Sequence, residues 1–122
     1  MPDTAAIATD LVAALNARDY ATIAALCDED VAISGLGAGS DQGREALRDR
    51  LARHFAALDE SFGDAVVMQA AGGSPVAIRV TARGRDASAT SYSMEKVLLV
   101  EIDGGRISRL SLFSDAGAAA GR

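Results

Sequence analysis

His54 is the chain's one histidine, and imidazole is the side chain whose ordinary pKa, ~6.5, lies nearest working pH. It follows Leu51 by three residues and Leu47 by seven, at the edge of an apolar helical stripe. Arg50, four residues earlier, shares that edge. The pair suits proton transfer: the imidazole moves a proton, and the guanidinium holds a carboxylate or an enolate. A second reading stays open, in which His54 is partly buried against backbone or an acid and Arg50 snorkels to water. Lys96 sits mid-strand among apolar neighbours. It is either turned toward a ligand, on the outer face, or paired with an acid. Ser34, Ser114 and Tyr92 offer hydrogen bonds without acid–base power.

Cys27 follows Ile23 and Leu26 on an apolar helix face, which points to a buried, inert thiol rather than a reactive one. A single cysteine excludes an internal disulfide and fits a reducing compartment, so a cytoplasmic location is expected. One histidine and one cysteine cannot build a structural zinc site, and the acids mostly flank helices and turns. No metal and no cofactor are expected. Gly35-Leu36-Gly37-Ala38-Gly39-Ser40 invites a dinucleotide-loop reading. The third glycine of that fingerprint falls on Ser40, and no parallel strand–helix–strand unit follows, so the segment reads as a flexible loop. Its place at a strand end makes it a rim for a pocket.

The 122 residues have room for one domain, and 49% of them are hydrophobic, enough for a packed core. The formal charge of −5 argues against nucleic acid, which needs a basic patch, and against an anionic membrane surface. No signal-like segment opens the chain, and no apolar run approaches the ~18 residues that span a bilayer.

Three helices are expected to position these groups. Ile7, Leu11, Val12 and Leu15 mark the first, with Asp3 or Thr4 as cap. Asp19 caps a short second helix that ends in the acidic turn Asp28-Glu29-Asp30. Asp41 caps a third, from about Gln42 to Asp59, striped by Leu47, Leu51, Phe55 and Leu58. Val31-Ala32-Ile33 reads as a short strand between them. After Gly63 the period changes to two, giving strands at Val66–Met68, Val76–Val80, Met94–Ile102 and Ile107–Phe113. Asp103-Gly104-Gly105 reads as a hairpin turn, and residues 116–122 as a frayed tail. Helices grouped before strands indicate an α+β domain with an antiparallel sheet.

Leu15-Asn16-Ala17-Arg18-Asp19-Tyr20, Gly43-Arg44-Glu45-Ala46-Leu47 and Ile102-Asp103-Gly104-Gly105-Arg106-Ile107, with Phe113-Ser114-Asp115 after them, form an ordered set. In that order and spacing the chain resembles the nuclear transport factor 2-like superfamily, particularly its SnoaL-like branch, over roughly Ala5 to Asp115. The resemblance implies a cone in which three N-terminal helices pack into the concave face of a curved sheet, with a mostly apolar pocket at one end. The fold hosts isomerases, cyclases, dehydratases and non-catalytic binding modules, so it does not fix an activity.

Strand alternation then assigns the pocket. Val76, Ile78 and Val80 face inward, as do Met94, Lys96 and Leu98, and then Leu110, Leu112 and Ser114. Leu11 and Leu15 join them from the first helix, Ile33 and Leu36 from the first strand and its loop, and Arg50 and His54 from the third helix. Arg109, Ser111, Phe113 and Asp115 face outward, where an apolar patch with Val97 or Leu99 predicts a homodimer.

Ketosteroid isomerisation, the best-known chemistry of such proteins, is not expected. Its aspartate base falls at Gly35, its oxyanion tyrosine at Leu11, its supporting tyrosines at Cys27 and Leu51, and its second acid near Leu98. The expected function is binding of a small apolar metabolite, with His54 as the acid–base residue if the protein is a cofactor-independent cyclase, isomerase or dehydratase. The alternative is a non-catalytic binding or dimerisation module.

Overall fold

Asp3 begins the first helix, its carboxylate accepting from the backbone N–H groups of Ala5 and Ala6. This satisfies donors that have no partner inside the helix. The computed structural model describes residues 3–37 and 39–114, so Asp115 and the expected tail at 116–122 lie outside the described residues. Helix α1 spans Thr4–Ala17 and ends where Arg18 turns left-handed, with φ 56°. Asp19 caps α2, Tyr20–Leu26, by accepting from the Thr22 N–H. Strand β1, Cys27–Ser34, follows at once, and a two-residue β2, Asp41–Gln42, leads into α3, Arg44–Ala57. The rest is strand: β3 Asp59–Gln69, β4 Val76–Arg85, β5 Ser91–Asp103 and β6 Arg106–Ser114.

The expected boundaries shift in three places. Asp28-Glu29-Asp30 is the solvent-facing start of β1 rather than a turn, since its neighbours Cys27 and Val31 supply the buried anchors. Asp41 does not cap α3; Gly43 stands at the cap with no side-chain bond. Strand pairing begins at Asp59, not after Gly63, because β3 runs the full length of β4 in the register Asp59↔Arg85 through Gln69↔Val76.

The six strands lie in the order β2-β1-β6-β5-β4-β3. Every pair is antiparallel except β1 with β6, which runs parallel, so the sheet is mixed. The long path between β1 and β6 permits the parallel pairing that a tight turn forbids. Register breaks in β1–β6, at Gly63/Val66 in β3 and at Glu101/Ile102 in the β5–β6 pair bend the sheet.

The concave face holds rows of paired residues: Val76, Val100 and Leu110, then Ile78, Leu98 and Leu112, then Val80, Lys96 and Ser114. Ala8, Leu11, Val12 and Leu15 of α1, Ile23 of α2, and Leu47 and Leu51 of α3 close over them as one core. Each leucine, isoleucine or valine among them contributes ~1.5–3 kcal/mol on burial. On the convex face Val66, Arg79, Val97 and Phe113 form one row, and Met68, Ala77, Leu99 and Ser111 the next. Val66, Met68 and Phe113 are its exposed apolar members. Ser111, expected to face solvent, is buried instead, because the parallel neighbour β1 sets Ser34 against it and the Ser34 hydroxyl donates to Ser111 Oγ at 2.8 Å.

Gly35 ends β1 with φ +85°, and a Cβ there would lie 1.9 Å from the Leu112 carbonyl oxygen. Gly35→Ala is therefore expected to remove more than ~2 kcal/mol of stability. Urea unfolding of the variant measures this, and an unchanged midpoint would refute the close approach.

Candidate functional site

Glu60 is 1% exposed, the most deeply buried acid described, and it stands on the concave side of β3 two residues before Phe62. An ionised carboxylate taken out of water is unstable unless donors surround it. Three do. His54 Nε2 lies 2.7 Å from Oε1, Lys96 Nζ donates to both oxygens at 3.0 and 3.1 Å, and the Tyr92 hydroxyl donates to Oε2.

The donors come from two elements. Helix α3 carries His54 in its last turn, and β5 carries Tyr92 and Lys96 four residues apart on one face. The backbone of β3 is held by the end of α1. Asn16 exchanges two hydrogen bonds with Phe62, at 2.9 and 2.8 Å, as a neighbouring strand would. Arg18 donates to the Glu60 and Leu15 carbonyls while its guanidinium sits 3.6 Å over the Phe55 ring, which meets the His54 ring edge-on.

Burial by itself would raise the Glu60 pKa, but the hydrogen bonds from His54, Tyr92 and Lys96 and the lysine's charge outweigh it, and the carboxyl is held down at about 2. Burial, followed by the bond and charge of Glu60, pushes the Tyr92 hydroxyl up, so it remains a donor. An ionised carboxylate only accepts, so the His54 nitrogen facing it carries a proton. In the neutral ring Nδ1 then holds the lone pair, and Nδ1 makes no hydrogen bond among the described residues. A ring oriented at one nitrogen by a buried carboxylate, with the other left basic, is the arrangement that general-base catalysis needs.

His54 lies on a cleft of about 460 Å³ with Leu36, Gly37, Arg50 and Arg53. Arg50 is a strut of this wall: it donates to the Leu36 and Gly39 carbonyls and pairs with Asp41 at 3.3 Å. Beside the cleft lies a small apolar void of about 10 Å³, bordered by Leu15, Leu51, Phe55, Phe62, Leu98, Leu110 and Leu112, again with Leu36 and His54. A polar groove of about 600 Å³ runs past Asn16, Arg18, Ser61, Arg83 and Tyr92 on the other side of Glu60.

The expected pocket residues thus divide. Leu15, Leu36, His54, Leu98, Leu110 and Leu112 meet at the void, and Leu36, Arg50 and His54 at the cleft. Leu11, Ile33, Val76, Ile78 and Val80 are at most 1% exposed, packed within the core, and border neither cavity. Met94 is partly buried against the core, and Ser114 is exposed at the end of β6 despite its inward register. Lys96 turns inward, as its register predicts, and donates to Glu60. Glu60 itself was not anticipated. Its signal is the alternation of Glu60 with Phe62, which falls ahead of the strand period expected to begin only after Gly63.

Gly35, where an isomerase-type aspartate would stand, has no room for any side chain. Cys27 is buried, and burial above all pushes its thiol up to about 11. Among the described residues no group of three or more His, Cys, Asp or Glu could hold a metal ion. Among them, too, no helix is long and apolar enough to cross a membrane.

A family model described as a SnoaL-like domain matches residues 8–110. No protein of curated function matches the chain. Among solved structures, a protein from Xanthomonas campestris pv. campestris, provisionally assigned as a polyketide cyclase, superposes with a TM-score of 0.89 at 21% identity, over 96% of this chain and 93% of that one. Another with the same assignment, from Pseudomonas putida KT2440, gives 0.86 at 25% identity over 96% and 94%. TerC, co-crystallised with polyporic acid, gives 0.84 at 18% identity over 98% and 96%. These likenesses confirm a cystatin-like, nuclear transport factor 2-like α+β fold.

Since the folded pKa of Glu60 is depressed, its contribution to stability is full above the unfolded value of ~4.5 and is lost as pH falls toward about 2. Glu60→Gln is expected to cost ~3–5 kcal/mol at pH 7, because it strands the Lys96 charge. It is also expected to flatten the loss of stability between pH 5 and pH 3, an interval set by the ordinary and depressed values of the carboxyl. Urea titrations of both proteins across that interval check the sign. Parallel pH profiles would remove Glu60 from the account.

Proposed function

Because the chain belongs to the SnoaL-like domain family, whose model covers residues 8–110, we propose that it binds a small metabolite at the His54 cleft and moves a proton on it. The observation that carries this reading is the buried, ionised Glu60 at 2.7 Å from His54 Nε2. With Nε2 protonated and held, Nδ1 takes a proton from a carbon next to a carbonyl. The imidazolium that forms is stabilised by the Glu60 charge. Returning the proton to another carbon completes an isomerisation; attack of the enolate carbon on a second carbonyl of the same molecule opens that C=O to an alkoxide, and returning the proton to it completes a cyclisation, with no loss of atoms in either case. A polyketide-like carbonyl compound accords with the provisional assignments of the structural neighbours. Neither cofactor nor metal is called on for such a transfer. A reducing, cytoplasmic setting accords with the single buried thiol.

The convex face adds a partner to this reading. Val66, Met68 and Phe113 stay exposed beside Val97 and Leu99, an apolar surface that favours a second copy over water. The homodimer it forms leaves the concave side, and so the cleft, open. Sedimentation at micromolar concentration is expected to show twice the chain mass, and Phe113→Glu to return the monomer. A wild-type chain that sediments only as a monomer would refute the partner.

Proton transfer is tested with His54→Gln, which keeps the size of the side chain but has no basic nitrogen. Deuterium uptake from D2O into a 1,3-dicarbonyl probe, followed by proton NMR, is expected to fall by roughly two to four orders of magnitude. Equal uptake by the two proteins would return His54 to a partly buried structural residue and leave a binding module.

A further inference from the structure

Two nitrogens from different elements meet on one oxygen of Glu60. His54 Nε2 lies 2.7 Å from Oε1, and Lys96 Nζ lies 3.0 Å from the same atom. They therefore stand within ~6 Å of each other, the range in which one charge governs the protonation of its neighbour. Lys96 is 4% exposed, in a concave row whose next members are Val80 and Ser114. Nothing in that row calls for an ammonium group, and burying one costs desolvation that only the carboxylate offsets.

Without Lys96, Glu60 would be a buried anion lying against the ring. A carboxylate that close draws a proton onto an imidazole, because the resulting cation pairs with it. A ring so paired is protonated at both nitrogens, and Nδ1 then has no lone pair with which to accept. General-base catalysis needs the opposite, a ring oriented by the acid yet still neutral. An ammonium group on the same oxygen meets both demands. It supplies the positive partner that Glu60 requires, and as a like charge beside the ring it opposes a second cation there. The other charges around the ring are less buried. On α3, Arg50 pairs with Asp41 at 3.3 Å and Arg53 lines the cleft. At the end of α1, Arg18 sits over Phe55, whose ring meets His54 edge-on. Tyr92 of β5 donates to Oε2 as a neutral hydroxyl. Among the described residues only Glu60 and Lys96 are buried charges, so solvent and salt screen these two least.

We propose that Lys96 is a positioning residue for proton transfer: by taking up the negative charge of Glu60 it keeps Nδ1 of His54 unprotonated, so that the ring meets a ligand as a base. Glu60 still favours the imidazolium once it forms, and Lys96 limits that favour, so the ring hands its proton back. This rests on the reading that His54 is the base, and it adds the group that decides its protonation state.

His54 is the chain's one histidine, so its ring protons report alone in a proton NMR pH titration that needs neither ligand nor turnover. Lys96→Met removes the charge at similar length, and the ring is expected to titrate at least ~1 pH unit higher than in the wild type. Lys96→Gln, a donor without charge, is expected to move it equally, and Lys96→Arg to return it to the wild-type position. Deuterium uptake into the 1,3-dicarbonyl probe, less the buffer rate, is expected to fall ~10-fold or more in Lys96→Met on the acid side of the wild-type midpoint. It is expected to recover on the alkaline side of the new midpoint, whereas a structural lesion would lower it at every pH. Where Lys96→Met does not fold, the double change with Glu60→Gln leaves no buried charge. Its ring is expected to titrate where the wild-type ring does, since the two charges removed act in opposite senses; a move of ~1 unit or more would overturn the proposal. So would an unmoved or lowered midpoint in folded Lys96→Met, or a rate lowered equally at all pH values. Equal deuterium uptake by wild type and His54→Gln would remove the proton transfer itself, while the titration reads the hold of Lys96 on the ring independently, so the two can fail separately.

Discussion

One carboxylate, buried and ionised, constrains the placement of most elements in this structure. Glu60 needs donors within about 3 Å, and none of those it uses is local in sequence except His54. Helix α3 must end where its last turn meets β3, and β5 must align so that Tyr92 and Lys96 face the same point. The end of α1 must reach β3 to hold its backbone through Asn16 and Arg18. Even the absence of a side chain counts: a Cβ at Gly84 would lie 2.2 Å from the Asp59 carbonyl oxygen and 2.7 Å from Glu60 Cα. Only glycine lets β4 pass that close behind the acid.

Magnitudes argue that packing alone does not account for this arrangement. The aliphatic core, with more than a dozen leucine, isoleucine and valine side chains buried, supplies the driving force for folding. A buried ion pair of good geometry is roughly neutral against apolar residues of the same volume. Evolutionary economy would favour a leucine at position 60 if packing were all that mattered. The hydroxyl, imidazole and ammonium groups gathered there orient one ring and leave one of its nitrogens basic, and that is a chemical property rather than a packing one.

The fold was legible in the sequence because its signals are strong locally. Asp3 and Asp19 cap their helices, Gly104 and Gly105 turn the last hairpin, and the two-residue period sorted β4 and β5 into faces that the register reproduces. What stayed hidden depends on contacts remote in sequence. The parallel pairing of β1 with β6 leaves no mark on either strand alone. The void is small because the side chains of helices and sheet fill the space between the layers, and no spacing rule measures that distance. His54, Lys96 and Tyr92 each carry a visible chemical type, but the acid that unites them falls between the helix expected to end at Asp59 and the strands expected after Gly63. A lysine among aliphatic residues was the legible half of the pair; its partner lies 36 positions upstream.

The parallel contact between β1 and β6 also sets an order of events on the ribosome. Ser34 and Ser111, which meet across it, are 77 residues apart, and the strand that fills the gap is made after every other strand described. Until it emerges, β1 has only the two-residue β2 beside it, and one long edge of backbone stays unpaired. The nascent chain can form its helices and the β3–β4–β5 meander early, since those contacts are near in sequence. Closure of the sheet, and with it the wall formed by Gly35 against Leu112, waits for the final strand. A chain stalled before β6 would therefore carry a formed helical layer over an unsealed sheet.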